Sequence, residues 1–188
     1  MNRDQLIKSL QKAPIVKKGE YNYVIHPITD GVPYISPDLL MEVTAAMKTY
    51  IMKCSPFDRL VTMEAMGIPL ATALSMDLGI PFTIIRKREY GLPGEISVEQ
   101  VTGYSKSKLY VNGLKRGDRI VIVDDVLSTG GTLRAVLSVF KKIGVYVNGV
   151  FIAINKGSHM KEISQEFGVQ IKSIIDIDVV EGKTVILT

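Results

Sequence analysis

Two kinds of segment alternate along the chain, and this alternation is the feature that most limits its fold. Short runs of β-branched and apolar residues, such as RLVTM (59–63) and RIVIV (119–123), alternate with segments whose apolar residues follow a helical period. Such alternation is typical of parallel α/β proteins, in which helices connect strands of one sheet. We therefore predict an α/β fold with a mostly parallel central sheet flanked by helices.

Local signals predict where the elements begin and end. Ser36 is a candidate N-cap and Pro37 suits the first helical position, so a long amphipathic helix should begin there. A βαβ unit should follow it, with strands at 59–63 and 81–85 and a helix at 67–78. The further predicted elements are a strand at 119–123, a helix from Leu133 to about Gly144, strands at VNGVFIAI and IKSIIDIDVV, and a short helix at about 158–167.

Composition limits the class of protein. A chain of 188 residues is expected to form one domain, here 1–188, that buries about 70% of its unfolded surface. No run approaches the roughly 18 uncharged apolar residues of a membrane span, and the N-terminus is charged where a signal peptide would be apolar. We therefore expect a cytoplasmic protein without a membrane partner. One cysteine and two histidines exclude an internal disulfide and make a zinc cluster implausible.

The segment VIVDDVLSTGGTLRA (121–135) combines an apolar strand, two aspartates, a small polar loop and a helix start. Glycines in Ser128–Thr132 allow backbone N–H groups to approach an anion, and the following helix adds its positive N-terminal end. The loop therefore fits a phosphate monoester. The net charge of +4 suits an anionic ligand without requiring nucleic acid.

The two carboxylates, Asp124 and Asp125, require a different partner. Adjacent buried anions are costly unless cations or hydroxyl donors satisfy them, and a sugar diol supplies such donors. A ribose phosphate would engage both halves of the segment at once. Alternatively, one aspartate caps a turn and the glycines turn the chain; the full ordered combination makes this interpretation the weaker one. The chain has neither a Walker loop nor a G-x-G-x-x-G motif.

VIVDDVLSTGGT (121–132) resembles the phosphoribosyl-pyrophosphate (PRPP) binding motif of type I phosphoribosyltransferases. The resemblance implies that Asp124 and Asp125 contact the ribose hydroxyls and lie near a Mg²⁺ ion, directly or through water. It further implies that a loop binds the 5-phosphate, through Ser128, Thr129, Gly130, Gly131 and Thr132. The implied reaction displaces pyrophosphate from PRPP by a purine ring nitrogen.

The segment Leu60–Arg88 resembles the pyrophosphate loop and following strand of the purine branch of this family, as found in its xanthine and adenine enzymes. The resemblance places the loop at Glu64, Ala65, Met66 and Gly67, and implies that Arg86, Lys87 and Arg88 neutralise the departing pyrophosphate. For these three residues alone, a solvated basic turn is the alternative. Adenine enzymes carry an arginine at the position of Met66, which argues against a plain adenine type.

The purine preference is predicted from NKGSH (155–159), which resembles the segment of six-oxopurine enzymes where a lysine contacts the base. Lys156 would then bind the six-oxo group, although an exposed loop lysine is the alternative. In this family a small hood covers the base, and the resemblance places it here at about 1–35 and 155–188. The segment 26–34 would form part of that hood, but none of its residues is characteristic of base binding. The motif combination resembles that of archaeal hypoxanthine phosphoribosyltransferases.

The general base is not identified by the resemblance. Hypoxanthine–guanine enzymes have an aspartate at the position of Ser128, and adenine enzymes have a glutamate where Gly103 stands here. The polar connection at about 89–108, with Tyr104, Ser105 and Lys108, is expected to form a mobile loop that closes over the site. Its Glu95 and Glu99 are alternatives for the base, and a further alternative is that the neutral purine reacts with little assistance from the protein.

The resemblance implies purine salvage, with hypoxanthine and guanine converted to IMP and GMP by a homodimeric enzyme. Xanthine and adenine remain alternative substrates. A second class of function is a PRPP-binding regulator of purine genes, as in bacterial purine repressors on the same fold. About 35 residues precede the helix at Ser36, which is too few for an added winged helix and a hood together.

Overall fold

A computed structural model of the chain describes residues 3–19, 21–102 and 105–187. The helices are α1 (Asp4–Gln11), α2 (Pro27–Asp30), α3 (Pro37–Ile51), α4 (Gly67–Leu78), α5 (Gly131–Ile143) and α6 (His159–Phe167). The strands are β1 (Ile15–Lys18), β2 (Tyr21–Val24), β3 (Arg59–Met63), β4 (Phe82–Ile85), β5 (Ile96–Thr102), β6 (Ser105–Val111), β7 (Arg119–Leu127), β8 (Tyr146–Lys156), β9 (Ile171–Val180) and β10 (Lys183–Ile186). A 3-10 helix, Met52–Cys54, follows α3.

Six of the strands form the central sheet, in the order β10–β9–β8–β7–β3–β4. All neighbouring pairs are parallel except β10 with β9 at one edge. The predicted mostly parallel α/β fold is therefore confirmed. Because β7 lies between β3 and β8, its carboxyl end opens into the crevice where parallel sheets bind ligands.

The element boundaries follow the sequence signals closely. The Ser36 hydroxyl accepts a hydrogen bond from the Leu39 N–H at the start of α3, as expected for an N-cap. Strand β3 and helix α4 have the predicted bounds. Strand β7 is longer than predicted and continues to Leu127, because the residues after Val123 still pair with β8. Both aspartates therefore lie within the strand.

Apolar side chains form a layer on each face of the sheet. Helices α1, α3 and α4 pack on one face, around residues such as Met47, Leu74 and Val121. Helix α5 packs on the other face with the β5–β6 hairpin, around Phe140 and Ile122. Burial on both faces holds β7 rigidly. Within the described part of the chain, no helix is both long and apolar enough to cross a membrane.

The polar connection after β4 contains an antiparallel hairpin, which the sequence pattern did not predict. Strands β5 and β6 pair from Ile96 with Val111 to Thr102 with Ser105. The hairpin forms because Val98, Leu109 and Val111 are buried against the α5 side of the core. Gly103 and Tyr104, which the sequence placed in the closing loop, lie outside the described residues.

The predicted hood segments frame the carboxyl end of the sheet in different ways. At the N-terminal side, a β1–β2 hairpin is followed by the single-turn helix α2. At the C-terminal side, most of 155–187 extends the central sheet as β9 and β10, with α6 preceding them. We therefore use the name hood for the N-terminal part alone, residues 15–31, which lies outside the central sheet.

Candidate active site

Asp124 and Asp125 lie at the carboxyl end of β7 and are only 8% and 9% exposed. Burial and the neighbouring Asp125 raise the pKa of Asp124, and burial raises the pKa of Asp125 to about 6. Among the described residues, none forms a hydrogen bond with Oδ1 of Asp124. The pair is therefore electrostatically unsatisfied and suited to hydroxyl donors or a cation.

Helix α4 begins in direct contact with this pair. A Cβ atom added at Gly67 would lie 2.1 Å from Oγ1 of Thr62 and 2.5 Å from Oδ1 of Asp124. Side-chain atoms of β3 and β7 thus occupy the space that any other residue would need. Gly67 is required for the close approach of the helix to the strand ends.

The loop after β7 and the start of α5 form one wall of a cavity of about 530 Å³. We call it the phosphate-loop cavity. Gly130 has a φ of +77°, and a Cβ there would lie 2.3 Å from Cδ1 of Ile163, so this position also requires glycine. The residues that line the cavity include Glu64, Lys87, Asp124, Asp125, Ser128, Thr129, Gly130, Gly131 and Thr132. Most of the residues predicted to bind PRPP are thus brought together.

The three basic residues predicted to bind pyrophosphate, at 86–88, contact different partners. The Arg86 guanidinium forms an ion pair with Glu64, whose other oxygen accepts a hydrogen bond from the Lys87 N–H at 3.0 Å. Partial burial opposes ionisation of Glu64, but the bonds from Lys87 and Arg86 lower its pKa below the ordinary value. Lys87 lines the phosphate-loop cavity, whereas the Arg88 guanidinium lies 5.6 Å from the Tyr90 ring centroid. Lys87 is thus the side chain of the three that reaches the cavity.

The predicted pyrophosphate loop connects β3 to α4 directly above the aspartates. Its Glu64–Ala65 peptide is cis. Ala65 is exposed, and the Met66 side chain lies against the end of α2, where a Cβ at Gly31 would lie 3.5 Å from Met66 Cε. The loop thus contacts the hood on one side and the aspartates on the other.

A second cavity, of about 880 Å³, lies under the N-terminal hood. We call it the hood cavity. It shares Val126, Ser128, Thr129 and Gly131 with the phosphate-loop cavity, so the two spaces meet along one wall. Its other lining residues are Leu10, Tyr21, Tyr23, Val24, His26, Thr29, Asp30, Ile154, Lys156 and Ile177.

Lys156 lies at the centre of a set of contacts that join the hood to the sheet. Its Nζ donates a hydrogen bond to the Asn22 carbonyl and lies 3.8 Å from the Tyr21 ring centroid. The Tyr21 hydroxyl is 2.6 Å from Oγ of Ser128, in the phosphate loop. One tyrosine therefore contacts both the lysine and the loop.

The architecture and the motif agree with one family of known proteins. A family model for the phosphoribosyl transferase domain matches residues 34–186. The chain belongs to this family. Three curated archaeal relatives carry the name hypoxanthine/guanine phosphoribosyltransferase. They come from Methanocaldococcus infernus (52% identity, 97% of this chain and 99% of the relative), Methanobacterium lacus (51%, 96% and 94%) and Methanocaldococcus jannaschii (51%, 97% and 99%).

Solved structures support the fold of this phosphoribosyltransferase. The adenine phosphoribosyltransferase of Leishmania tarentolae superposes with a TM-score of 0.73 at 19% identity, covering 94% of this chain and 88% of that one. The enzyme of the same name from Thermoanaerobacter pseudethanolicus gives 0.66 at 22% identity, covering 92% and 98%. At such identities the likeness concerns the fold, and it confirms the predicted type I phosphoribosyltransferase architecture.

The hood cavity of this phosphoribosyltransferase includes residues that the sequence did not single out, among them His26. His26 is fully buried: its Nδ1 accepts a hydrogen bond from the Ile28 N–H, and its Nε2 lies 2.8 Å from Oγ of Ser9. Burial lowers the pKa of His26 to about 4, against the opposing charge of Asp30. A local signal was present, since His26 followed by Pro27 and later by Gly31 marks the cap, first turn and end of α2.

The two glutamates considered as general base lie on the hairpin side of the site. Glu95 accepts hydrogen bonds from the N–H groups of Tyr90 and Gly91 in its own turn and from the Asn112 amide after β6, which together hold it in place. Glu99 is exposed and pairs in register with Lys108. Neither glutamate lines the two cavities as the described residues define them.

Proposed function

We propose that this phosphoribosyltransferase transfers the 5-phosphoribosyl group of PRPP to hypoxanthine and guanine, forming IMP, GMP and pyrophosphate in purine salvage. The observation that carries the proposal is the shared wall at residues 126–131, which joins the phosphate-loop cavity to the hood cavity, a space large enough to admit a purine base. The names of curated relatives about half identical over almost the whole chain support the same reaction.

The phosphate-loop cavity accounts for the PRPP half of the reaction. Asp124 and Asp125 would accept hydrogen bonds from the two ribose hydroxyls, which relieves the cost of burying the carboxylates. The N–H groups of the loop and the positive N-terminal end of α5 would hold the 5-phosphate. Lys87 would neutralise charge on the leaving pyrophosphate as the bond to C1 breaks.

The residues present also fit a Mg²⁺ ion. The partnerless Oδ1 of Asp124 belongs to a carboxylate, a ligand type that Mg²⁺ prefers, and substrate phosphates commonly complete its coordination. We propose that Asp124 and Asp125 hold the ion directly or through water. When bound, it would neutralise the diphosphate and so make it a better leaving group.

The hood cavity accounts for the purine half. Lys156 can donate a hydrogen bond to the six-oxo group of hypoxanthine or guanine, whereas adenine presents an amino donor at that position. The mostly apolar walls, including Val126 and Ile154, exclude water from a transition state that resembles an oxocarbenium ion. The sheet orients the ribose and the hood orients the base, which together align the ring nitrogen with C1.

A base panel tests the proposal. The purified protein is incubated with PRPP, Mg²⁺ and one purine, either hypoxanthine, guanine, xanthine or adenine, and nucleotide formation is followed by chromatography. Hypoxanthine and guanine should give the largest kcat/KM values. Faster turnover of adenine or xanthine would refute the base assignment, and operator DNA binding without pyrophosphate release would refute the enzymatic function.

We also propose that the protein is a cytoplasmic homodimer. Exposed apolar side chains support the dimer, because Met41, Met76 and Tyr34 are 60%, 82% and 71% exposed, on and beside α3 and α4. Light scattering after size exclusion gives the mass directly. A mass of one chain at micromolar concentration would contradict the dimer.

A further inference from the structure

We infer that Asp30, in the hood helix α2, is the proton acceptor for the purine. This inference rests on the proposed function and supplies the group that the family motifs leave unassigned, since serine stands at position 128. Among the described residues that line the hood cavity, Asp30 carries the one carboxylate.

The position of Asp30 matches the point where base and sugar must meet. Helix α2 ends at Asp30, and the next residue, Gly31, lies against Met66 of the pyrophosphate loop. On the sheet side, the charge of Asp30 is close enough to contribute to the raised pKa of Asp125. Asp30 therefore lies at the edge of the hood cavity that faces the pyrophosphate loop and the aspartates, which is where a ring nitrogen in the hood cavity would have to approach C1 of the ribose.

The hydrogen bonds of Asp30 hold one carboxylate oxygen and leave the other available. Its Oδ2 accepts hydrogen bonds from the His26 N–H at 2.9 Å and from the Thr29 hydroxyl at 2.6 Å. Within the described part of the chain, no group donates to Oδ1. The side chain is thus oriented by its own helix while retaining an acceptor for a substrate N–H.

Other titratable groups around the cavity already have assigned partners. Both ring nitrogens of His26 form hydrogen bonds inside the hood. Glu95 is held by two donors in its own turn and by the Asn112 amide after β6. Asp124 and Asp125 lie below the ribose site. Lys156 is a donor at neutral pH, not an acceptor.

The proton balance of the step is simple. A bond forms between the purine ring nitrogen and C1 of the ribose, while the bond between C1 and the pyrophosphate oxygen breaks and its electron pair leaves with pyrophosphate. The proton on the purine ring passes to Oδ1 of Asp30. Because Asp30 is exposed at the cavity edge, water can then accept that proton.

The test compares Asp30→Asn with wild type and with Asp77→Asn. Asparagine keeps an oxygen for the His26 N–H but is not a base, so kcat for hypoxanthine should fall about 10²- to 10⁴-fold while the KM for PRPP stays constant. Asp77→Asn makes the same change at an exposed carboxylate of α4 that pairs with Lys48 outside both cavities, and should remain within about threefold of wild type. A rise in the KM for hypoxanthine with unchanged kcat would overturn the inference.

A purine analogue separates proton transfer from positioning. In 8-azahypoxanthine the additional ring nitrogen makes the N–H more acidic, so the Asp30→Asn variant should lose much less activity with it than with hypoxanthine. Equal losses with both bases would overturn the inference. Asp30→Glu retains a carboxylate and should keep part of kcat if the asparagine variant does not fold. If the wild-type enzyme were inactive with every purine, that result would instead refute the proposed function.

Discussion

Gly67→Ala tests whether the close contact of α4 with the strand ends sets the geometry of the site. The added Cβ would lie 2.1 Å from Oγ1 of Thr62, so that distance must increase by about 0.9 Å to reach the 3.0 Å below which real contacts are not found. The same Cβ lies 2.5 Å from Oδ1 of Asp124. Either the helix or these two side chains must therefore shift, and both movements change the position of Asp124 relative to the ribose that it would contact.

The expected effect follows from the size of that movement. A displacement of about 1 Å in a catalytic site costs about 10²-fold in rate, which corresponds to about 2.7 kcal/mol of transition-state stabilisation. Overpacking of a dense core also destabilises by about 1–3 kcal/mol. Gly67→Ala should therefore lower kcat/KM for PRPP about 100-fold and lower the melting temperature.

Steady-state kinetics of IMP formation and thermal unfolding measure both effects. A second substitution, Thr62→Ala, removes the oxygen at 2.1 Å and should restore part of the activity of Gly67→Ala, whereas Thr62→Ser keeps that oxygen and should restore none. Thr72→Ala, on the exposed side of the same helix, is the control and should behave as wild type. Near-normal kcat/KM and melting temperature in Gly67→Ala would refute the steric reasoning.

Three further predictions concern separate parts of the site. Asp125→Ala should lower kcat/KM for PRPP at least about 100-fold without lowering the melting temperature, because it removes a buried charge together with the contact to ribose; retained activity would exclude the ribose role. Lys156→Met should raise the KM for hypoxanthine and guanine about tenfold or more, and leave the slow reaction with adenine unchanged in kinetic assays. Because the folded pKa of His26 is about 4, against about 6.5 unfolded, the unfolded state binds the proton first as pH falls. Between pH 7 and about 4.5, the free energy of unfolding measured with urea should therefore fall by about 2 kcal/mol more for wild type than for His26→Asn. Equal decreases in the two proteins would contradict a buried neutral imidazole.

The sequence predicted those features whose determinants are local. The N-cap at Ser36, the strand that leads into the two aspartates and the glycine-containing turn into α5 each depend on neighbouring residues, and each was predicted, although β7 continues to Leu127 and α5 begins earlier, at Gly131. The contacts of the hood were not predicted, because they join distant positions. Tyr21 and Ser128 are 107 residues apart, and Asn22 and Lys156 are 134 apart.

The β5–β6 hairpin shows a second reason for a missed element. Its apolar residues, such as Val98 and Leu109, are separated by serine, threonine and charged residues within a polar connection. Strand formation there depends on burial against α5, which a local pattern does not show. The sequence also did not single out Asp30 of the hood. Local signals place this residue in α2, but the role that we infer for it depends on the cavity that α2 faces.

The two cavities that meet at the shared wall, residues 126–131, are lined by different parts of the chain. Most groups on the sugar-phosphate side come from strand ends and loops of the central sheet, whereas six of the ten residues on the base side outside the shared wall come from residues 21–30. Apart from Lys156 on β8, the contacts to the base can therefore change independently of donor recognition in descendants of one ancestor. Transplanting a different N-terminal segment onto this sheet is accordingly a route to enzymes that attach ribose phosphate to unnatural heterocycles.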